Sequence, residues 1–178
     1  MGNVDAHALL IIVLGVIVLQ RAGELVLSAR NAARLRQRGA REHGASHFPL
    51  LVLVHTLFPL GLAAEVLHGG ARPGPLWPLW LGLWLAAQAL RYAAVRALGE
   101  RWNVRILVVP GLAPVRSGPY RVLRHPNYLA VVVELIAAAM FMGAWRTAVG
   151  ITVLNALVLR IRIRAEEDAL RHAASETH

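Results

Sequence analysis

Apolar runs about twenty residues long, separated by arginine-rich segments, set the limits on this fold. Crossing a hydrocarbon core of about 30 Å takes roughly 20 helical residues, because only a helix or a closed barrel satisfies its own backbone where water is absent. On that template helices are expected at 6–28, 48–68, 76–98, 128–142 and 147–163. The predicted fold class is an all-α integral membrane protein with about five transmembrane helices. The fourth helix is short for a full crossing. With the tight Gly143-Ala144-Trp145-Arg146 turn and the fifth helix it reads as a closely packed C-terminal hairpin. The first run, 8–19, follows Asp5 and has no basic leader, so a retained span is expected there rather than a cleaved signal.

The chain divides into helices 1 to 3 (1–98), a connector with helices 4 and 5 (99–172), and a tail (173–178) expected to fray. The polar, Pro/Gly-punctuated stretch 99–127 is the one long connector, and long connectors usually carry function. All 19 basic residues are arginine, so neither a Schiff-base lysine nor a phosphate-loop lysine is available. A sequence pI near 11.6 raises nucleic acid as a partner. The arginines, however, flank apolar runs instead of alternating with stacking aromatics, so membrane lipids are the expected anionic partner and nucleic acid is not. The absence of cysteine excludes disulfides, thiolate metal sites and thiol nucleophiles. The histidines form no ligand set at helical spacing, and no metal site is expected.

Arginine also predicts orientation. Arg30, Arg34, Arg36, Arg38 and Arg41 follow helix 1, further arginines from Arg101 to Arg124 fill the connector, and Arg160, Arg162, Arg164 and Arg171 mark the C-terminal end. With five crossings these lie on one side, against Arg72 and Arg146 on the other. The positive-inside rule then puts the N-terminus outside, with the connector and tail in the cytoplasm.

Two motifs carry chemistry. In Gly118-Pro119-Tyr120-Arg121-Val122-Leu123-Arg124-His125-Pro126-Asn127-Tyr128, Gly118-Pro119 forces a turn and Pro126 suits a first helical turn, where a missing N–H is harmless. His125 and Tyr128 are then held near a helix N-terminus, whose free N–H groups favour a carboxylate. Further on comes Arg160-Ile161-Arg162-Ile163-Arg164-Ala165-Glu166-Glu167-Asp168, with Arg162 and Glu166 one turn apart on one face. A carboxylate there is able to accept ribose hydroxyls or meet an ammonium group, and the arginine is able to fix an anionic substrate oxygen. Each residue also has a structural reading. Glu167 and Asp168 suit a solvated helix end, while Arg21 and Glu24 suit an internal pair. His55 and Glu65 suit packing or the interface. Glu134, two turns inside an apolar helix, is either functional or the partner of Arg91 or Asn155.

A GxY…RHPxY segment opening a hairpin that closes with RxxxEExxL resembles the isoprenylcysteine carboxyl methyltransferases and, more loosely, the phospholipid methyltransferases. The resemblance covers 98–170. It implies an S-adenosyl-L-methionine-dependent methyltransferase in which Leu112, Ala113, Pro114, Val115, Tyr120, His125, Pro126, Asn127, Tyr128 and Glu166, with the adjoining Glu167, contact the cofactor. Arg162 falls on the arginine that meets substrate. The N-terminal pattern Arg21-Ala22-Gly23-Glu24…Ser28-Ala29-Arg30-Asn31…Gly39-Ala40-Arg41-Glu42-His43-Gly44…His47-Phe48 and His55 is similar to a bacterial branch that methylates alkylpyrones or alkylresorcinols. That likeness implies a lipidic substrate and a bacterial inner (cytoplasmic) membrane.

Methyl transfer to oxygen is an in-line displacement that requires alignment and exclusion of water. A carboxylate or acidic enol needs no base. A phenol benefits from one, and His125 or Glu134 is the candidate. The competing acceptors are a prenylcysteine carboxylate and a phospholipid amine. The competing class is a non-catalytic carrier or scaffold, against which stand the Arg162 and Glu166 pair and the lack of an inverted repeat.

Overall fold

A computed structural model describes residues 5–175. Its five long helices are α1 (Ala6–Gln37), α2 (Phe48–Leu67), α3 (Trp77–Leu98), α4 (Pro126–Phe141) and α5 (Trp145–Ser175). A short ribbon, β1 (Arg41–His43) against β2 (Ile106–Val108), pairs antiparallel with Glu42 opposite Leu107. Three-residue strands show no alternation, and the ribbon was not expected from sequence.

Two helices outrun their expected ends. The first continues past 28 to Gln37 because Arg, Ala and Leu are good helix formers and no breaker occurs before Gly39, which takes φ +80°. At 32 residues it is about 48 Å long, so its last turns stand clear of an apolar layer. Ser28 and Asn31, both buried, face the connector there. The Ser28 hydroxyl donates to Asn103 Oδ1 (2.9 Å), and Asn31 Nδ2 donates to the Gly99 and Trp102 carbonyls (3.2 and 2.8 Å). The fifth helix passes 163 and runs to Ser175, since its far end has apolar surface to cover: Ala165, Ala169 and Leu170 pack on Ile106 and Val108 of the ribbon. Part of the segment expected to fray is thus helical, and 176–178 lies outside the described residues.

The main core joins Leu10, Val13 and Ile17 of α1, Val54, Phe58 and Leu62 of α2, and Trp84 of α3 to α4 and α5. Ala137, Ala138 and Ala139 of α4 are at most 1% exposed, small enough for neighbouring helices to approach closely. Gly143, at φ +73°, turns the hairpin where any Cβ would meet the Arg72 carbonyl at 2.1 Å. Glu65 accepts from the backbone N–H groups of Arg146 and Thr147 (3.1 and 2.7 Å) and so caps α5.

Two spans, Ala6–Gln37 and Ala45–Leu67, are long and apolar enough to cross a membrane, and Pro126–Phe141 is a shorter apolar helix. Only 17% and 22% of the apolar windows of the two long spans are buried, so they are not core helices of a water-soluble domain. Ile11, Ile12 and Leu19 of α1, Leu53 and Leu60 of α2, and Val149, Val153 and Leu157 of α5 stand exposed. So much outward apolar surface suits lipid rather than water.

Candidate active site

The site is assembled at the arginine-rich end, where the connector folds over the start of α4 and the far half of α5. Gly118, at φ +55°, sits close to Ala97 of α3: a Cβ would lie 3.1 Å from the Ala97 methyl group, tighter than ordinary van der Waals contact. That close approach seats the Gly118–Arg121 turn beside the helix bundle. His125 stands at the N-cap position of α4 without a side-chain capping bond, Pro126 opens the helix, and the His125 and Tyr128 rings stack with centroids 5.3 Å apart. The Tyr128 hydroxyl donates to Glu166 and accepts from Arg162 Nε (3.0 Å), so the two motifs meet at this oxygen.

Arg162 is 5% exposed, and its Nη2 donates to the Val104 carbonyl (2.6 Å). Nη1 forms no hydrogen bond among the described residues. A buried guanidinium held at two corners thus keeps one edge open. Arg101 Nη1 donates to the Ala113 carbonyl (2.6 Å) and holds the 112–115 segment over the site. Burial, and then the Glu166 carboxylate, push the Tyr120 hydroxyl above the usual tyrosine range, so it stays protonated as a donor.

These residues enclose a cavity of about 200 Å³. Among the expected cofactor residues, Leu112, Ala113, Pro114, Val115, Tyr120, His125, Asn127, Tyr128 and Glu166 line it, as does Arg162. Pro126 does not; it is buried in the first turn of α4. Glu167 is also outside the lining, and its Oε1 lies 3.4 Å from His125 Nε2. Trp102, Asn103 and the ribbon residues Ile106, Leu107 and Val108 add walls that sequence reasoning did not single out. The one signal for the first two was an aromatic and an amide side by side in a polar connector.

Glu134 is brought elsewhere, into a buried cluster. Arg91 bonds both Glu134 and Glu24 (3.1 Å to Glu24), and Arg21 likewise reaches Glu24 (2.6 Å) and Glu134 (2.7 Å). Gln20 and Gln88 complete it, donating to Glu24 (3.0 Å) and Glu134 (3.2 Å). With two arginines on two carboxylates, Glu134 is a crosslink among α1, α3 and α4 rather than a free base. Beside this cluster lies a second, inner cavity of about 60 Å³.

Residues 80–172 match the sequence pattern of the isoprenylcysteine carboxyl methyltransferase (ICMT) family. The chain belongs to that family. The match takes in most of α3, the whole connector, α4 and nearly all of α5, which together build all of the outer cavity but Leu35 of α1. Like its family, the chain is a membrane methyltransferase by descent. It is 38% identical over 160 residues to "Uncharacterized protein YpbQ" of Bacillus subtilis (strain 168), covering 90% of this chain and 95% of that one. It is 30% identical over 149 residues to an "Uncharacterized protein" of Haemophilus influenzae, covering 83% and 87%.

Proposed function

We propose that this ICMT-family protein transfers a methyl group from S-adenosylmethionine to an oxygen of a lipidic acceptor, a long-chain alkylpyrone or alkylresorcinol. The observation that carries the reading is the meeting of both motifs in one cavity, through the Tyr128 hydroxyl bridging Arg162 and Glu166. The donor set suits the cofactor. Glu166 offers a carboxylate to ribose hydroxyls or to the ammonium group, and the start of α4 offers its positive dipole end to the cofactor carboxylate, the Tyr128 and Leu129 N–H groups being already bonded to the His125 carbonyl. Leu112 and Val115 give an apolar wall. When bound, the cofactor supplies an electrophilic methyl group on a sulfonium.

The residues of this cavity act by positioning. Arg162 presents its open Nη1 edge to the acceptor oxygen, anchored so that the charge is already in place before reaction. The connector and ribbon supply walls of the cavity. The arginine-rich ends of α1, the connector and α5 cluster at this end through the ribbon, whereas Arg72 meets the Gly143 turn at the other. By the positive-inside rule that supports a site facing the cytoplasm of a bacterial inner membrane, with five crossings and the N-terminus outside. The second reading, a prenylcysteine carboxylate as acceptor, is favoured by the family's name. Cofactor binding is tested by melting the detergent-solubilised protein with S-adenosylhomocysteine. A ligand of the native state raises the melting temperature, and Glu166→Ala is expected to abolish most of the shift. An unchanged shift in the variant removes Glu166 from the site.

A further inference from the structure

Trp102, Asn103, Asn127, Tyr128 and Arg162 border both cavities and form the partition between them. The inner cavity's far wall comes from Arg21 and Glu24 of α1, Leu51 and His55 of α2, and Arg91 of α3. At about 60 Å³ it holds a few heavy atoms, the size of a polar head and not of an alkyl chain. Two partition atoms are buried without a protein partner, the donor Trp102 Nε1 and the acceptor Asn127 Oδ1. Such atoms are costly when left unmet, so a guest bearing both a hydroxyl and a carbonyl or second hydroxyl is favoured there.

His55 supplies the remaining function. Its Nδ1 lies 2.9 Å from the Leu51 carbonyl oxygen, which accepts only, so Nδ1 carries the proton and the neutral ring keeps its lone pair on Nε2. Nε2 has no hydrogen-bond partner among the described residues. The charged groups around the cavity are Arg21, Glu24, Arg91 and Arg162, with the Tyr128 hydroxyl on α4. Arg21 and Arg91 are already matched by Glu24 and Glu134, which leaves His55 as the one lining group with a free lone pair suited to accept a proton.

Resting on the reading of the outer cavity as the cofactor site, we propose that the inner cavity seats the hydroxyl-bearing ring edge of the acceptor and that His55 Nε2 is the base for that hydroxyl. The acceptor oxygen bonds to the methyl carbon of a sulfonium donor while the carbon–sulfur bond breaks, its electron pair staying on sulfur to give a neutral thioether. The hydroxyl proton passes to Nε2. The positive charge of the sulfonium therefore reappears on the His55 imidazolium and leaves as a proton to water when product departs.

The test compares a neutral phenol, an alkylresorcinol, with an acidic enol already ionised at neutral pH, an alkyl-4-hydroxypyrone. His55→Gln is expected to shift the ratio of turnover on phenol to turnover on enol about a hundredfold toward the enol, the low end of what a positioned base contributes. Calorimetric binding of alkylresorcinol with S-adenosylhomocysteine present, where no transfer occurs, reads the seat separately from the base. In Val131→Trp, which fills the inner cavity, it is expected to vanish while S-adenosylhomocysteine still binds. An unshifted ratio, or equal losses on both acceptors, overturns the role of His55. Undiminished acceptor binding in Val131→Trp overturns the inner cavity as the seat. Wild-type protein that methylates neither acceptor overturns the functional reading and this inference with it, an outcome distinct from any change of ratio.

Discussion

Replacing Arg162 by lysine separates chemistry from anchoring. The guanidinium is 5% exposed and spends Nε on the Tyr128 hydroxyl and Nη2 on the Val104 carbonyl, at 3.0 and 2.6 Å. Lysine keeps the charge but, as a point donor on a flexible stem, re-forms about one of those bonds and presents no fixed third edge. A hydrogen bond from a charged donor is worth about 1.5–3 kcal/mol. If that loss falls on the transition state, turnover drops about 10- to 150-fold at about 1.36 kcal/mol per factor of ten. Alanine removes both bonds and the charge, and a loss on the order of a hundredfold or more, about 2.7 kcal/mol or more of barrier, is expected. Cofactor affinity is expected to remain near wild type in both variants. The assay is methyl transfer and S-adenosylhomocysteine binding on the same detergent preparations. A lysine variant with wild-type turnover would refute the reasoning, because a headgroup anchor is served equally well by either cation. Joint loss of cofactor binding would move Arg162 into the cofactor's own contacts.

The chain has no cysteine, so single cysteines report cleanly. Replacements at Arg38 and Ser117 are expected to be labelled only from the cytoplasmic side and one at Gly70 only from outside; labelling of Arg38 and Ser117 from opposite faces contradicts five crossings. Asn31→Ala strips donors from two connector carbonyls at a position 2% exposed, and a stability loss of roughly 1–3 kcal/mol is expected, read as a lowered melting temperature. Glu42, hydrogen-bonded by Arg105 (2.5 Å) and Arg36 (3.2 Å), is held below the usual carboxylate range chiefly by the Arg105 bond. Its contribution is therefore complete above the ordinary value of about 4.5 and lost as pH falls through the lowered one, so acid melting curves are expected to be steeper for wild type than for Glu42→Gln.

Helix positions were legible because apolar runs have few alternatives, and the starts of α2 and α3 fell within a residue of expectation. Their ends were legible only where a breaker stands. Arginine density at 30–38 and 160–171 reads as loop, yet Ser28, Asn31, Ala165 and Ala169 have tertiary partners that keep those turns helical and packed. The motif residues around Tyr128, Arg162 and Glu166 were legible from spacing, since a helix start and a one-turn pair each dictate local geometry. The cluster of Glu134 with Arg21 and Arg91 was half visible. Sequence named Arg91 as a partner, but a crosslink of three helices depends on packing that no local pattern encodes. Trp102 carried only the signal of an aromatic beside an amide, and His55 read as a packing or interface residue; each matters through the cavity that distant segments close around it.

The central claim is transfer of a methyl group to lipid oxygen, and the most direct measurement uses purified protein, S-adenosylmethionine labelled in its methyl group, and a panel of alkylresorcinol, alkylpyrone, prenylcysteine and phosphatidylethanolamine acceptors. Label is expected as a methyl ether on the alkylpyrone or alkylresorcinol, and to disappear with Glu166→Ala. Label on the prenylcysteine carboxylate alone would replace the proposed acceptor, and label on none of the four, from protein that binds S-adenosylhomocysteine, would contradict the account.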